Sequence, residues 1–231
     1  MENFKVAIDG PAGSGKSTIS KLLAKKLGYI HIDTGAMYRA LTIEAIKRNI
    51  ALKDINAYSF IDDVKIEYHK DKIYLNGKDV TEEIRMPYVT ENVSTVSSIP
   101  YVRERLCFLQ RQAAKAGKII MDGRDIGYNV LPDADLKVFL VASIDERTKR
   151  RALELEAKGI DVDFNSLKED ILKRDYLDSN RSVSPLKKAE DAILLDTTKL
   201  NIDEVVDEII RLIERRTKWW ITLIMVLKNH V

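Results

Sequence analysis

The residues with the clearest chemistry lie near the start of the chain, at Gly10-Pro11-Ala12-Gly13-Ser14-Gly15-Lys16-Ser17. This matches the pattern G-x-x-x-x-G-K-[ST] in full. Glycines at this spacing let backbone N–H groups turn inward around phosphate oxygens. Lys16 brings a mobile positive charge to the β- and γ-phosphates, and the Ser17 hydroxyl can ligate Mg²⁺. Thr18 is counted with them as an ATP-binding residue. The helix expected to follow presents its positive N-terminal end to the same anion. A loop of this kind is expected to bind ATP phosphates, but by itself it names no reaction.

The arginines narrow the choice. Arg39 follows Asp33-Thr34-Gly35-Ala36-Met37-Tyr38, and Arg124 sits within Asp122-Gly123-Arg124-Asp125. Arg147, Arg150 and Arg151 cluster on one helical stretch, and Arg174 and Arg181 flank the next. Any one of them alone reads as a solvated helix face. Together they suit an enzyme that grips a second phosphorylated substrate, because fork-shaped guanidinium groups hold phosphates bidentately. A GTPase would carry Asn-Lys-x-Asp, which is absent here, and motor or transport ATPases are usually larger. A small phosphotransferase fits best.

These residues need a scaffold, and the hydrophobic pattern supplies one. Residues 4–9 form a short, largely apolar run followed by Gly10, as a buried parallel strand would. Helical spacing of Ile19, Leu22, Leu23 and Leu27 ends at Gly28. A strand at 29–32 and a helix at 36–49 follow. Over 64–80 the period changes to strand-like alternation with an Asn76-Gly77 turn, which predicts a small antiparallel sheet. The spacing then predicts helices over 88–98 and 101–116, strands over 118–121 and 136–141, and helices over 144–158 and 166–177. A strand over 192–195 and an amphipathic helix over 201–216 complete the series. The fold class is therefore α/β: a five-stranded parallel sheet flanked by helices, with an antiparallel β insert and a helical lid. Ligands in such folds bind beyond the carboxyl ends of the strands, where Asp9, Asp33 and Asp122 stand.

Lys plus Arg number 38 against 36 for Asp plus Glu, a net charge of +2 that argues against a surface for nucleic acid. The single cysteine, Cys107, allows no intrachain disulfide and is read as a core residue. The N-terminal residues lack a signal-peptide layout, and a cytoplasmic location is expected.

Four motifs in order, Asp9-Gly10-Pro11-Ala12-Gly13-Ser14-Gly15-Lys16, Asp33 to Arg39, Asp122-Gly123-Arg124-Asp125 and Asn180-Arg181-Ser182-Val183-Ser184-Pro185-Leu186, resemble bacterial cytidylate kinases. The resemblance covers about residues 5–216. It implies a single kinase domain over 1–216, with an acceptor-binding insert at about 36–105 and a lid at about 145–183. It implies transfer of the γ-phosphoryl of ATP to CMP or dCMP, with Mg²⁺ as cofactor, in pyrimidine metabolism.

By the same resemblance Ser94, Arg103 and Asp125 read cytosine, whose N4 amino group suits Ser94 and Asp125 and whose O2 and N3 suit Arg103. Arg174, Asp178 and Arg181 match the ribose and lid-side contacts, although Arg174 and Asp178 are also spaced for a routine ion pair. Arg39 and Arg124 match the clamp on the acceptor phosphate, with Thr34 beside them. Arg147, Arg150 and Arg151 match the lid, without indicating which touches ATP. Asp122 matches a strand-end acid near the Mg²⁺ water. Lys16, Arg124, Arg181 and Asp122 are thus expected to act on the transferring group.

The alternatives are a related UMP or AMP kinase and a non-catalytic nucleotide-binding regulator. The enzyme is expected to act as a monomer. Residues 217–231 depart from the family pattern. They hold both tryptophans and an apolar run of about nine residues, short of the roughly 20 a membrane span needs. An apolar cover for the core or a neighbour, a remnant of another reading frame and a weak interfacial anchor all remain open for this tail.

Overall fold

A computed structural model describes residues 3–69 and 72–228, of which 218–228 are described by backbone alone. Five parallel strands form the main sheet: β1 (Lys5–Asp9), β2 (Ile30–Asp33), β6 (Ile119–Gly123), β7 (Leu136–Val141) and β8 (Ile193–Asp196). Their order is β2-β6-β1-β7-β8, so β1 is central and the chain reverses its winding there. Asp9 pairs with Gly123 and Asp33 with Asp122, which brings the three strand-end acids to one edge.

The central strands are mostly apolar because helices cover both faces. α1 (Lys16–Leu27) and α8 (Ile202–Lys228) bury Ile19, Leu23, Val205, Val206 and Ile209 against Val6, Ile8, Val138 and Leu140. Cys107 lies in a core cluster on the other face with Ala7, Ile32 and Met121. Gly28 closes α1 in the left-handed conformation, as its position in the pattern predicts.

The insert has its own core. α2 (Thr34–Lys47), α3 (Pro87–Thr90), α4 (Val93–Ser98) and α5 (Pro100–Ala113) enclose a three-stranded antiparallel sheet of β3 (Ile66–His69), β4 (Lys72–Leu75) and β5 (Lys78–Asp79). Leu41, Ile73, Leu75, Val89, Val96 and Leu106 are among its buried residues. Asn76 and Gly77 both take positive φ, 50° and 80°, as a tight hairpin requires. In the stretch expected to form the lid, α6 (Ile144–Glu156) packs on α7 (Phe164–Asn180).

Two expectations need correction. The helix predicted over 88–98 is two short helices, α3 and α4. The Asn92 side chain donates to the Tyr88 carbonyl at 2.8 Å, a local bond that competes with continuing the backbone ladder. The last helix was expected to stop near Arg216 but runs on to Lys228. No Gly or Pro interrupts 217–228, so nothing in the backbone stops propagation. The readings of the tail concern side chains that, beyond Thr217, lie outside the described residues. Among the described residues, no helix is long and apolar enough to cross a membrane.

Candidate active site

The phosphate loop leaves the central strand at Gly10, whose φ of 149° suits glycine. A Cβ there would lie 2.1 Å from the Leu140 carbonyl oxygen. Gly13 and Gly15 also take left-handed φ, 73° and 88°. α1 then begins at Lys16 with no acidic residue in its first turn, which leaves its positive end unmasked. Lys16 is buried, with Nζ 2.6 Å from the Pro11 carbonyl oxygen and 3.1 Å from Ser14 Oγ. Burial pulls the Lys16 ammonium well below its ordinary value, and the nearby charge of Arg124 adds to this.

Ser17 Oγ donates to Asp122 Oδ2 at 2.6 Å, so the loop and the end of β6 meet in a pair of hard oxygen donors. Thr34 donates to the Asp122 carbonyl at 2.8 Å. Asp33 caps α2 through the Ala36 N–H and holds Arg39 at 3.0 Å. Arg124 donates to Asp178 of α7 at 3.0 Å. The alternative reading of Arg174 and Asp178 as a routine ion pair is not realised, because Asp178 pairs with Arg124 instead.

Arg174 is half-buried, with its Nε enclosed. Burial, then the positive charge of Arg124, with Arg39 and Arg151 adding, brings it down to about 10 against the pull of Asp178. Burial would raise Asp178, but the charges of Arg124, Arg174 and Arg181 and the hydrogen bond from Arg124 hold it below the usual carboxylate range. Among the described residues, the Nε atoms of Arg39, Arg103 and Arg174 and one terminal nitrogen of Arg181 are buried without a hydrogen-bond partner. Such donors are costly to leave unmet, and their grouping suits an anionic ligand.

A second group lies beside them. Arg103 donates to Asp125 Oδ2 at 2.6 Å and sits over the Tyr38 ring at 5.3 Å. Asn129 donates to the same carboxylate oxygen at 2.8 Å. Asp125 Oδ1 has Arg181 only at 3.7 Å. Ser94 lies on the other side, 3.3 Å from Asp178. Of the lid arginines, Arg150 donates to the Thr197 carbonyl at 2.7 Å and Arg151 pairs with Glu154 at 2.8 Å. Arg147 is held by the Ala12 carbonyl at 2.8 Å and by Asp175.

Several residues here were absent from the sequence reading of the site. Asp9 accepts the N–H groups of Ile126 and Gly127 at 2.9 and 2.8 Å, and so fixes the turn that presents Arg124 and Asp125. Burial pushes its carboxyl up to about 7, even against those bonds. An acid ending an apolar strand was the available signal for it. Asp175 and Asn129 gave none, since their partners are remote in sequence or set by the fold.

His31 Nε2 lies 2.6 Å from Asp122 Oδ1. Burial alone would lower His31, but the hydrogen bond and charge of Asp122, with Asp33, raise it above its ordinary value. A histidine raised in this way adds stability that is fully present below its unfolded value of about 6.5 and is lost as pH rises through the folded one. Melts of the nucleotide-free protein should therefore show the wild type losing its advantage over His31→Gln between pH 6 and pH 8.5. A difference that stays constant with pH would mean that the pair is not charged.

Fold and site together define a P-loop phosphotransferase, with a donor loop and an arginine-lined second site at one end of a parallel sheet. Comparison with known proteins gives the family. The cytidylate kinase family model matches residues 6–215. A cytidylate kinase of Acholeplasma laidlawii is 55% identical over 93% of this chain and 96% of its own length. One from Streptococcus pneumoniae is 49% identical over 94% of this chain and 100% of its own. A solved structure of an uncharacterized protein from Eubacterium ventriosum shares the fold, with a TM-score of 0.52 at 18% identity over 93% of this chain and 99% of that one. The chain belongs to the cytidylate kinase family and is an enzyme.

Proposed function

We propose that this enzyme transfers the γ-phosphoryl group of ATP to CMP or dCMP, giving ADP and CDP or dCDP, as a step in pyrimidine nucleotide metabolism. The observation that carries the reading is the meeting of two charge sets. Ser17 of the donor loop donates to the Asp122 carboxylate at 2.6 Å and Thr34 of the acceptor side donates to the Asp122 carbonyl at 2.8 Å, so donor and acceptor groups face one space, where Lys16 also feels the charges of Arg124 and Arg174.

The attacking oxygen belongs to the CMP phosphate. It is already anionic at neutral pH, so no strong general base is needed. The new bond forms between that oxygen and the γ-phosphorus, while the bond from the γ-phosphorus to the β–γ bridging oxygen breaks and that oxygen leaves with the electron pair as part of ADP. The backbone of residues 10–15, with Lys16, Ser17 and Thr18, cradles the ATP phosphates. Lys16 turns from Pro11 and Ser14 toward the β- and γ-oxygens, where its charge offsets the leaving group. Arg39, Arg124 and Thr34 hold the acceptor phosphate in line. Arg181 and Arg124 offset charge on the transferring group, and the lid arginines Arg147, Arg150 and Arg151 stand on the ATP side.

Ser17 and Asp122 suit Mg²⁺, which favours hard oxygens and uses only one or two protein groups beside phosphates and water. When bound, the ion draws charge from the phosphate oxygens. Ser17 would hold it directly, and Asp122 would hold one of its waters.

Cytosine lies against Arg103, Asp125 and Ser94. Asp125 Oδ1 accepts from the N4 amino group, and Asp178 with Arg174 takes the ribose side. The insert at about 36–105 binds the acceptor, and the lid at about 145–183 closes over both nucleotides and excludes water. The enzyme acts as a monomer on soluble nucleotides of the cytoplasm.

ADP release measured against CMP, dCMP, UMP and AMP tests the proposal. CMP or dCMP should exceed UMP and AMP by about 100-fold in kcat/KM. Preference for AMP or UMP, or no turnover with any acceptor, would overturn it.

A further inference from the structure

α7 carries residues directed to both halves of the site within one turn. Arg174 and Asp178 join the acceptor-side charges. Asp175, rotated about 100° around the helix from Arg174, meets the phosphate loop. Its Oδ1 accepts the Ala12 N–H at 2.9 Å, and its Oδ2 accepts from Arg147. Arg147 in turn donates to the Ala12 carbonyl at 2.8 Å and, through Nε, to the Ala142 carbonyl at 3.1 Å.

Both polar groups of the Ala12 residue are thus spent on the lid helices. Contact is close enough that a Cβ on Gly13 would lie 3.2 Å from Arg147 Cβ and from the Arg147 carbonyl oxygen. The lid therefore grips the apex of the loop through hydrogen bonds and charge. A carboxylate suits position 175, because it must accept from a backbone N–H and from a guanidinium at once. An asparagine could accept only through its oxygen and would turn an NH₂ donor toward a second donor.

We propose that Asp175 is a positioning residue that couples the two nucleotide sites. The proposal rests on the kinase reading above. Residues 174, 175 and 178 share one rigid turn, so they cannot move independently. An acceptor that fixes Arg174 and Asp178 also fixes the carboxylate that holds Ala12 and, through it, the phosphate loop. By reciprocity, a donor that settles the loop improves acceptor binding by the same factor. Asp175 touches neither reacting atom. Its effect is on the linkage between sites.

The test is calorimetric binding of CMP with and without a non-hydrolysable ATP analogue and Mg²⁺. It compares the wild type with Asp175→Asn, with Asp175→Glu, and with Asp170→Asn as an exposed control on the same helix. The analogue should tighten CMP binding about 10-fold in the wild type and in Asp170→Asn, and less than about twofold in Asp175→Asn. CMP affinity without the analogue should stay within about twofold of wild type in all of them, because no acceptor contact has been altered. Asp175→Glu keeps both acceptors and should retain part of the coupling, which provides a readout should Asp175→Asn fold poorly. Wild-type coupling in Asp175→Asn, or no coupling in the wild type, would overturn the inference. So would a loss of CMP affinity that is equal with and without the analogue. Failure of the wild type to phosphorylate CMP or dCMP would instead defeat the functional reading itself.

Discussion

Replacing Lys16 by alanine is expected to lower kcat by about 10³-fold, the scale seen when one charged group facing a transferring phosphoryl is removed. The fold should survive. Lys16 is buried and its charged form is disfavoured there, held only by a carbonyl oxygen and a hydroxyl. Truncation therefore removes a strained charge, where loss of a core methylene group would open a packing defect. Single-turnover kinetics beside a thermal melt would separate the two effects. Wild-type turnover in the variant would sink the assignment of the loop, whereas a collapsed melt would show that Lys16 is mainly structural.

The second large effect belongs to Asp125. Its Oδ2 is used by Arg103 and Asn129, while Oδ1 has no bond shorter than the 3.7 Å approach of Arg181. A carboxylate can only accept here, so it suits the N4 amino group of cytosine and repels the O4 carbonyl of uracil. Asp125→Ala should reduce kcat/KM for CMP by at least about 100-fold and bring the CMP-to-UMP ratio close to one. It should also destabilise the protein by about 3–5 kcal/mol, because Arg103 is left buried without its partner. Asp125→Asn keeps the shape and adds a donor, so it separates the two consequences. It should relax base discrimination toward UMP with a smaller loss of stability. An unchanged ratio of kcat/KM in both variants would remove Asp125 from base reading.

Much of this molecule was legible in advance, and the reasons are local. The phosphate loop is a contiguous motif with its own strand before it and its own helix after it. The antiparallel insert announces itself through alternation over 64–80 and the Asn76-Gly77 turn, both properties of neighbouring residues. The helix break near Asn92 was missed because it depends on one side chain competing with the backbone. The geometry of Asp125 was missed as well. The turn that presents it is held by Asp9, 117 positions away for the bond to the Ile126 N–H.

The sequence by itself determined the donor half of the site, because one contiguous run of eight residues carries the loop's glycines, Lys16 and Ser17. It also marked the arginines, since residue type and place at strand ends are readable in one dimension. Only the tertiary structure decided how those charges are shared. Asp178 serves Arg124 instead of Arg174, His31 leans on Asp122, and Arg147 is spent on Ala12 and Asp175. Each of these pairings is electrostatic. Its partner is chosen by distance in space after the sheet has set the strand order, and spacing along the chain carries no record of that choice.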